Sequence, residues 1–463
     1  MPPRPERPRH DRAFRVRRTQ NWLVMGFTYA AMYTARYNFS YANKSLSDQY
    51  GWSKAQIGGI ISFATLVYGL AALFNGPLAD RFGGRRAMLI GASGACVLNL
   101  LFGLAGYAGF LGTGTVLLGT LATIWTLNMY FQSYSALALI KVNAGWFHVT
   151  ERGVFSAIFG SMIQSGRFIL LGIMTSSLVV ALPWQWKFFL PALLVGVMAV
   201  LTFAVVQDKP ADAGLPDFDP EDATSGDTEA ITLGYVARKV FTNPVSLTIA
   251  GAELCTGLVR KGFEEWFPRY MQEAQHLALD SPVFKGGNFI ILLFGILGAL
   301  VAGTMSDWVF RNRRTPVAFI GYALIVGCLW VVWHDTRLPV VIAAFTINSM
   351  AISMVHSMLS GTASMDFGGQ RAAATAAGLF DGMQYLGGSF AGIGIGKLVD
   401  LYGWRAWAPS MIGFAAVGAV LMVLLWNARP APHRAAAAQA AGAGRGTAPA
   451  GAAAGDVPAS PQR

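Results

Sequence analysis

Charge is scarce in this sequence. Lys, Arg, Asp and Glu make up 13% of its 463 residues, against 54% hydrophobic residues. Soluble globular chains carry about twice that charged share, so composition excludes a soluble domain. Cysteine is scarcer still. Cys96, Cys255 and Cys328 each lie inside an apolar stretch, with neither ligand spacing nor a disulfide context, and read as small buried hydrophobes. No His/Cys/Asp/Glu set has metal-ligand spacing and no nucleophilic triad emerges, so no metal, cofactor or enzymatic activity is expected. The Gly-rich run GASGACVLNLLFG (91–103) lies in an apolar stretch with no GK[ST] after it, which excludes phosphate-loop chemistry and ATP-driven work by this chain alone. The chain opens without an apolar segment and cleavage site, so no secretory signal peptide is expected.

What the sequence does have is apolar length. Stretches long enough to cross a hydrocarbon core of roughly 30 Å recur at 21–43, 56–78, 87–108, 114–141, 153–179, 184–206, 245–270, 286–305, 315–334, 338–362, 372–397 and 405–426. They predict an all-α polytopic membrane protein with about twelve transmembrane helices. The net charge of +11 is spread over loops and ends rather than gathered into a domain, so the expected partner is the lipid bilayer and not nucleic acid. Arg4, Arg7, Arg9, Arg12, Arg15, Arg17 and Arg18 precede the first span. DRFGGRR (80–86) and RNRR (311–314) are basic, whereas 107–113 and 180–184 carry no charge. The positive-inside rule then places both termini in the cytoplasm. The expected organisation is a basic N-terminus (1–20), a six-helix bundle (21–206), a polar, Pro-rich cytoplasmic linker (207–244), a second six-helix bundle (245–426) and a disordered Ala/Gly/Pro-rich tail (427–463).

The halves repeat. GPLADRFGGRR (76–86) matches GTMSDWVFRNRR (303–314), placing Asp80 opposite Asp307, and ERGVFSAIFG (151–160) is echoed by QRAAATAAGL (370–379), placing Arg152 opposite Arg371. Internal duplication in a helical membrane protein marks a transporter whose substrate sits near the midplane, between the repeats. Inside YAAMYTARYNF (29–39) lies Arg36, and an arginine in lipid costs roughly 2.5–3.5 kcal/mol on insertion scales, so an anion is expected to meet it. Arg260, near the middle of span 245–270, follows Arg36 by 224 positions, within the 219 to 227 set by the two repeat anchors. Pseudo-symmetry places both at similar depth. A guanidinium fork binds phosphate bidentately and keeps its charge when desolvated. The alternatives are snorkelling for Arg36 and, for Arg260, a local pair with Glu264 echoed by Lys261 with Glu265.

GPLADRFGGRR resembles the helix 2–3 loop signature of the major facilitator superfamily, Gly-x-Leu-Ala-Asp-Arg-x-Gly-Arg-Arg. Small Gly76 lets helices approach, Asp80 complements a helix N-terminus, and Arg81, Arg85 and Arg86 anchor the loop; Asp307 is its counterpart in the second half. FTYAAMYTARYNFSYANKSL (27–46), GLVRKGFEEWFPRYM (257–271) and AGLFDGMQYLGGSF (377–390) resemble the organophosphate:inorganic phosphate antiporter family, and the likeness runs over roughly residues 20–425. This resemblance implies a major facilitator fold of two pseudo-symmetric six-helix bundles and no cofactor. It implies a small anionic substrate exchanged for inorganic phosphate by alternating access, with phosphate between Arg36 and Arg260. A monomer in a bacterial inner membrane is the matching expectation.

Ala72, Ile163 and Leu293 stand where the glycerol phosphate transporters of that family have lysine, histidine and glutamate, so glycerol phosphate specificity does not follow. Other polar groups occupy the spans instead. SMIQSGRF brings Gln164 and Arg167, the latter deep enough to serve as a third cavity cation or to pair with a carboxylate of another helix. Glu253 shares a helical face with Arg260, as a proton site or as a counter-charge. Asp381, Gln384 and Tyr385 line one stripe, facing substrate or another helix. His356 is either a proton carrier or an interhelical hydrogen-bond partner. Tyr29, Tyr33 and Asn38 surround Arg36 as cavity walls or as packing, with Gln132, Asn128 and Tyr134 as lesser candidates. Two other readings stay open: an ion-coupled symporter of organic anions such as sugar acids, because RYNFSYA also resembles the superfamily's anion:cation symporters, and a membrane sensor of a sugar phosphate.

Overall fold

The computed structural model describes residues 10–107, 114–147, 162, 165–216, 244–310 and 313–427. Among them every regular element is helical. The chain runs through α1 (Arg12–Tyr50), α2 (Lys54–Phe82), α3 (Gly84–Ala105), α4 (Gly114–Gln132), α5 (Tyr134–Ala144), α6 (Ser165–Met174), α7 (Ser177–Ala181) and α8 (Trp186–Val205). After the 217–243 segment come α9 (Pro244–Glu273), α10 (Pro282–Thr304), α11 (Thr315–His334), α12 (Leu338–His356), α13 (Ser364–Tyr402) and α14 (Trp407–Leu424).

Local chemistry sets many of these ends. The Asp11 carboxylate accepts the Phe14 N–H (2.7 Å) to start α1, and Gly51 closes it in the left-handed region at φ 67°. Ser53 and Gln56 form a reciprocal capping box on α2. Proline stands in the first turn of α10, α11 and α12, where its missing N–H is not needed. Two sequence expectations shift. α1 begins at Arg12, inside the basic segment expected to precede it, because Asp11 caps it there. The span expected over 114–141 is interrupted at Ser133, between α4 and α5.

Seven stretches, Lys54–Ala72, Gly84–Ala105, Trp186–Val205, Pro282–Thr304, Thr315–His334, Leu338–Ser360 and Trp404–Leu424, are long and apolar enough to cross a membrane. Large apolar side chains such as Phe63, Phe74, Leu104, Leu193, Val200, Leu300 and Leu424 are exposed on these helices, a surface suited to lipid and not to water. α1, α9 and α13 run 39, 30 and 39 residues, and carry polar side chains inward: Arg36 and Asn38 on α1, Glu253, Lys261 and Glu265 on α9, and Gln384 on α13.

α1 packs on α8, and α3 on α4, α5 and α8; α9 packs on α13 and α14, α10 on α12, and α11 on α12 and α14. The helices before and after the 217–243 segment meet along α2–α13 and α1–α9. At one end of the α2–α13 seam, the Asp400 carboxylate accepts the backbone N–H groups of Lys54 (3.0 Å) and Ala55 (2.7 Å) at the start of α2. Lys54 Nζ pairs with Glu273 at 3.3 Å, and Glu273 also accepts from Trp404 Nε1 at 2.9 Å. Further along, Ser62 donates to the Ser389 carbonyl and accepts the Ile393 N–H. At the opposite end of the N-terminal helices, Asp208 accepts the Arg85 N–H (2.7 Å) at the start of α3, while the Arg85 guanidinium donates to the Phe203 carbonyl. Arg86 is exposed. The surroundings of Gly76 and the side chains of Asp80, Arg81 and Asp307 lie outside what the structure describes.

Candidate functional site

On α1, Tyr29, Tyr33, Arg36, Tyr37 and Ser40 recur at three- and four-residue steps and so form one stripe. All five are buried. Arg36 retains 3% of its surface, and its guanidinium lies 4.8 Å from the ring centroids of both Tyr33 and Tyr68 of α2. Its Nε and Nη2 donate to Gln132 Oε1 at 3.3 and 3.2 Å, and Nη2 donates further to the Gln132 carbonyl (3.2 Å) and Ser135 Oγ (2.9 Å). The interruption at Ser133 explains this acceptor set. A carbonyl in the last turn of a helix has no partner in its own helix, so ending α4 at Gln132 turns a backbone oxygen toward Arg36. No carboxylate lies within ion-pair distance of Arg36 among the described residues, and its Nη1 has no hydrogen-bond partner there.

The second cationic group belongs to α6 and α9. Arg167 and Arg260 share one carboxylate: Glu264 Oε1 accepts from Arg167 Nη2 in a short contact and from Arg260 Nε at 3.0 Å. Arg260 Nη1 donates to Gln384 Oε1 of α13 at 2.9 Å. Lys261 Nζ pairs with Glu265 Oε1 at 3.2 Å, stands 3.8 Å from Glu264 and lies 4.5 Å from the centre of the Tyr37 ring. Arg167 lies over the same ring at 5.4 Å. Glu265 also accepts the Ser40 hydroxyl of α1. Arg260 Nη2 and Arg167 Nη1 have no hydrogen-bond partner among the described residues. Between the Arg36 and Arg260 groups stand tyrosines: Tyr29 packs edge-on to Tyr33 at 5.2 Å, Tyr33 stacks on Tyr37 at 5.6 Å, and Tyr68 meets Tyr385 at 4.4 Å.

Beyond Arg260 a third group joins α9, α12 and α13. Glu253 is completely buried; its Oε1 accepts from Ser360 Oγ and its Oε2 from Gln384 Nε2, both at 2.9 Å. Gln384 Nε2 also lies 2.8 Å from His356 Nδ1. Ser360 sits in the π-helical turn Ser357–Ala363 that follows α12, a backbone irregularity often found at functional sites. Asp381 is solvent-accessible and within reach of Ser360. α9 and α13 approach closely enough for these contacts because both are glycine where they cross. A Cβ on Gly257 would meet the Gln384 carbonyl oxygen at 1.8 Å, and one on Gly387 would meet that of Leu254 at 1.8 Å.

Of the residues singled out in the sequence, Arg36, Arg260, Arg167, Tyr29, Tyr33, Gln132, Gln384, Tyr385, Glu253, Lys261, Glu264, Glu265 and His356 therefore lie in one connected set, with Asp381 at its edge. Asn38 does not join it. Two residues along a helix is about 200° of rotation at 3.6 residues per turn, so Asn38 faces away from the stripe and donates to Asn99 Oδ1 (2.9 Å) and the Lys187 carbonyl (3.0 Å). Asn128, bonded to Asn99, belongs to the same helix-to-helix network. The Gln132 amide is spent on Arg36 and, through Nε2, on the Met32 carbonyl at 3.1 Å. Gln164 lies outside the described residues. Tyr37, Tyr68, Ser40 and Ser135 were not singled out from the sequence. Tyr37 and Ser40 were findable by extending the α1 stripe, whereas Tyr68 and Ser135 carry no local signal.

Comparison with known proteins bears on this arrangement. The sequence matches the Major Facilitator Superfamily over residues 25–392. It is 28% identical to the glycerol-3-phosphate transporter of Bacillus subtilis, covering 90% of this chain and 94% of that protein. It is 26% identical to a probable hexose phosphate transport protein of Chlamydia pneumoniae, covering 89% and 91%. The fold is also that of a bacterial homologue of the human lysosomal transporter Spinster in an inward-facing, unoccupied conformation, with a TM-score of 0.74 at 12% identity over 90% of this chain and 97% of the other. The likeness to organophosphate transporters thus extends over nearly the whole chain, and the chain belongs to the major facilitator superfamily, a family of membrane transporters and not of enzymes.

Proposed function

We propose that the protein carries a phosphorylated organic anion, of the sugar phosphate or glycerol phosphate type, across a bacterial inner membrane in exchange for inorganic phosphate. The observation that carries this reading is the hydrogen-bond inventory of the three arginines. Arg36, Arg167 and Arg260 have one carboxylate, Glu264, among them, and each keeps an N–H group without a partner among the described residues. Arg36, held by neutral amide and hydroxyl groups and tyrosine rings, and Arg167 and Arg260, sharing a single carboxylate, supply what a phosphoryl group needs, and a bidentate fork recognises it better than a point charge. The similarity to glycerol phosphate and hexose phosphate transporters supports the same substrate class.

Alternating access of residues 21–206 against residues 245–426 about this site fits the α2–α13 and α1–α9 seams. Asp400, Lys54, Glu273 and Trp404 lie at the end that the basic loops assign to the outside, with both termini in the cytoplasm. The contacts there favour a carrier closed outward; a single chain, carrying both halves, is the proposed working unit. Returning it empty would desolvate arginines lacking full compensation, at several kcal/mol per uncompensated ion. The loaded form is spared that cost, which favours exchange over net uptake.

Counterflow tests the reading. Vesicles holding the protein and labelled phosphate are challenged outside with glycerol phosphate, hexose phosphates and sugar acids. The expected result is efflux triggered by a phosphate ester and lost in Arg36→Lys and Arg260→Lys. Uptake of sugar acids that depends on external pH and needs no internal phosphate would replace exchange by ion-coupled symport. Ester binding without any efflux would replace transport by sensing.

A further inference from the structure

Glu253 is a fully buried carboxylate with no cation within ion-pair distance among the described residues. Both its oxygens accept from neutral groups, the Ser360 hydroxyl and the Gln384 amide, each at 2.9 Å. A buried ionised carboxylate without a paired cation is costly, and taking up a proton relieves the cost. Its connection to the arginines is a single side chain. Gln384 accepts from Arg260 Nη1 through Oε1, and gives one Nε2 hydrogen to Glu253 and the other to His356 Nδ1. The amide is fully used, since its Nε2 carries two hydrogens. His356 then accepts at Nδ1, which fixes a neutral imidazole with its proton on Nε2.

From this circuit, and resting on the anion-binding reading of Arg260, we infer that Glu253 is a proton-binding site linked to the anion site through Gln384. In the empty carrier Glu253 is the negative group that Gln384 joins to Arg260. An anion seated on Arg260 supplies that negative charge itself and competes with Gln384 Oε1 for Nη1. The amide is then free to turn, Glu253 loses a donor, and the added negative charge nearby disfavours its ionised form. The carboxylate takes one proton from water, so ester and phosphate each bind together with a proton. The other groups facing Glu253 act on the same balance. Asp381 of α13, by Ser360, opposes a second negative charge. Tyr322 of α11, bonded to Thr256 and to the Ala252 carbonyl, donates to neither Glu253 oxygen. His356 of α12 contributes no charge in the tautomer above. Arg260 of α9 favours the ionised form, while Glu264 of α9 and Arg167 of α6 largely offset one another.

The test measures glucose 6-phosphate binding to the full-length protein in detergent at pH about 7 and about 9. Both values lie above the ester's second ionisation near 6, so the ligand stays a dianion. Linkage to one proton makes affinity fall by up to tenfold per pH unit, and the wild type is expected to lose at least tenfold over this range. Glu253→Gln, which keeps the shape and the Ser360 contact, is expected to bind with no pH dependence. Adding ester to weakly buffered wild type with a pH indicator is expected to draw protons from solution, a readout that needs no variant. Wild-type binding that is equal at both pH values, or a pH slope that survives in Glu253→Gln, overturns the proton link and leaves the anion reading standing. Absence of ester binding at either pH overturns the anion reading itself, and the link with it.

Discussion

Replacing Glu264 by glutamine tests how the site balances holding an anion against releasing it. Glu264 is the carboxylate that Arg167 and Arg260 share, with Lys261 at 3.8 Å. It therefore occupies, from within the chain, part of the donor set that a phosphoryl group would use. Hydrogen bonds to charged groups contribute about 1.5–3 kcal/mol each. An anion that draws on every donor of the two guanidiniums competes with Glu264 for Arg167 Nη2 and Arg260 Nε, so removing its charge returns about one such bond to the ligand. At 1.4 kcal/mol per tenfold change, the dissociation constant for phosphate or its ester falls by about 10- to 100-fold. The empty variant is less stable, because removing one partner of a buried ion pair costs about 3–5 kcal/mol, and phosphate restores much of that loss by mass action. The assay is equilibrium binding in detergent, with thermal unfolding measured with and without phosphate. Exchange in vesicles is expected to slow, since an anion held by two fully available guanidiniums leaves late. Unchanged or weaker phosphate binding by a Glu264→Gln protein that is folded in phosphate would refute the idea that Glu264 competes for the arginines.

Two further outcomes follow from the packing. Gly387→Ala places a methyl group against the Leu254 carbonyl; overpacking of about 1–3 kcal/mol is expected to lower the unfolding temperature, and separating α9 from α13 is expected to weaken ester binding by drawing Gln384 away from Arg260. Gly413→Ala, with nothing within 4 Å of the added atom, is expected to do neither, and equal behaviour of the two variants refutes the crossing argument. Asp400→Asn keeps an oxygen at the start of α2 but loses the charge that complements its N-terminus, worth about 1 kcal/mol. A cysteine placed at Ser62 is then expected to react with a water-soluble thiol reagent about fivefold faster, and an unchanged rate shows that this contact does not hold that end of the α2–α13 seam shut.

The membrane class, the helical repertoire and the superfamily were legible without coordinates. Each rests on quantities local to the chain: scarcity of charge, apolar stretches of spanning length, a loop signature and its echo in the second half. The placement of Arg36 and Arg260 within the interior polar set was legible too, because the cost of a guanidinium in lipid and the shared offset of the repeats single them out. Even the turn of Asn38 away from the Arg36 stripe was available from helix geometry, since two residues reverse the face.

What surrounds the arginines was decided in three dimensions. Spacing along one helix says which side chains share a face and nothing about what stands opposite. Glu264 reads as a local partner of Arg260, yet α6 brings Arg167 to the same oxygen. The Gln132 carbonyl is an acceptor only because the helix is interrupted at Ser133. Tyr68 and Tyr385, far apart in sequence, meet because α2 and α13 pack along their length. The tie from Glu253 through Gln384 to Arg260 exists because two glycines let α9 and α13 touch backbone to backbone, and that closeness is a property of the pair of helices and of neither alone.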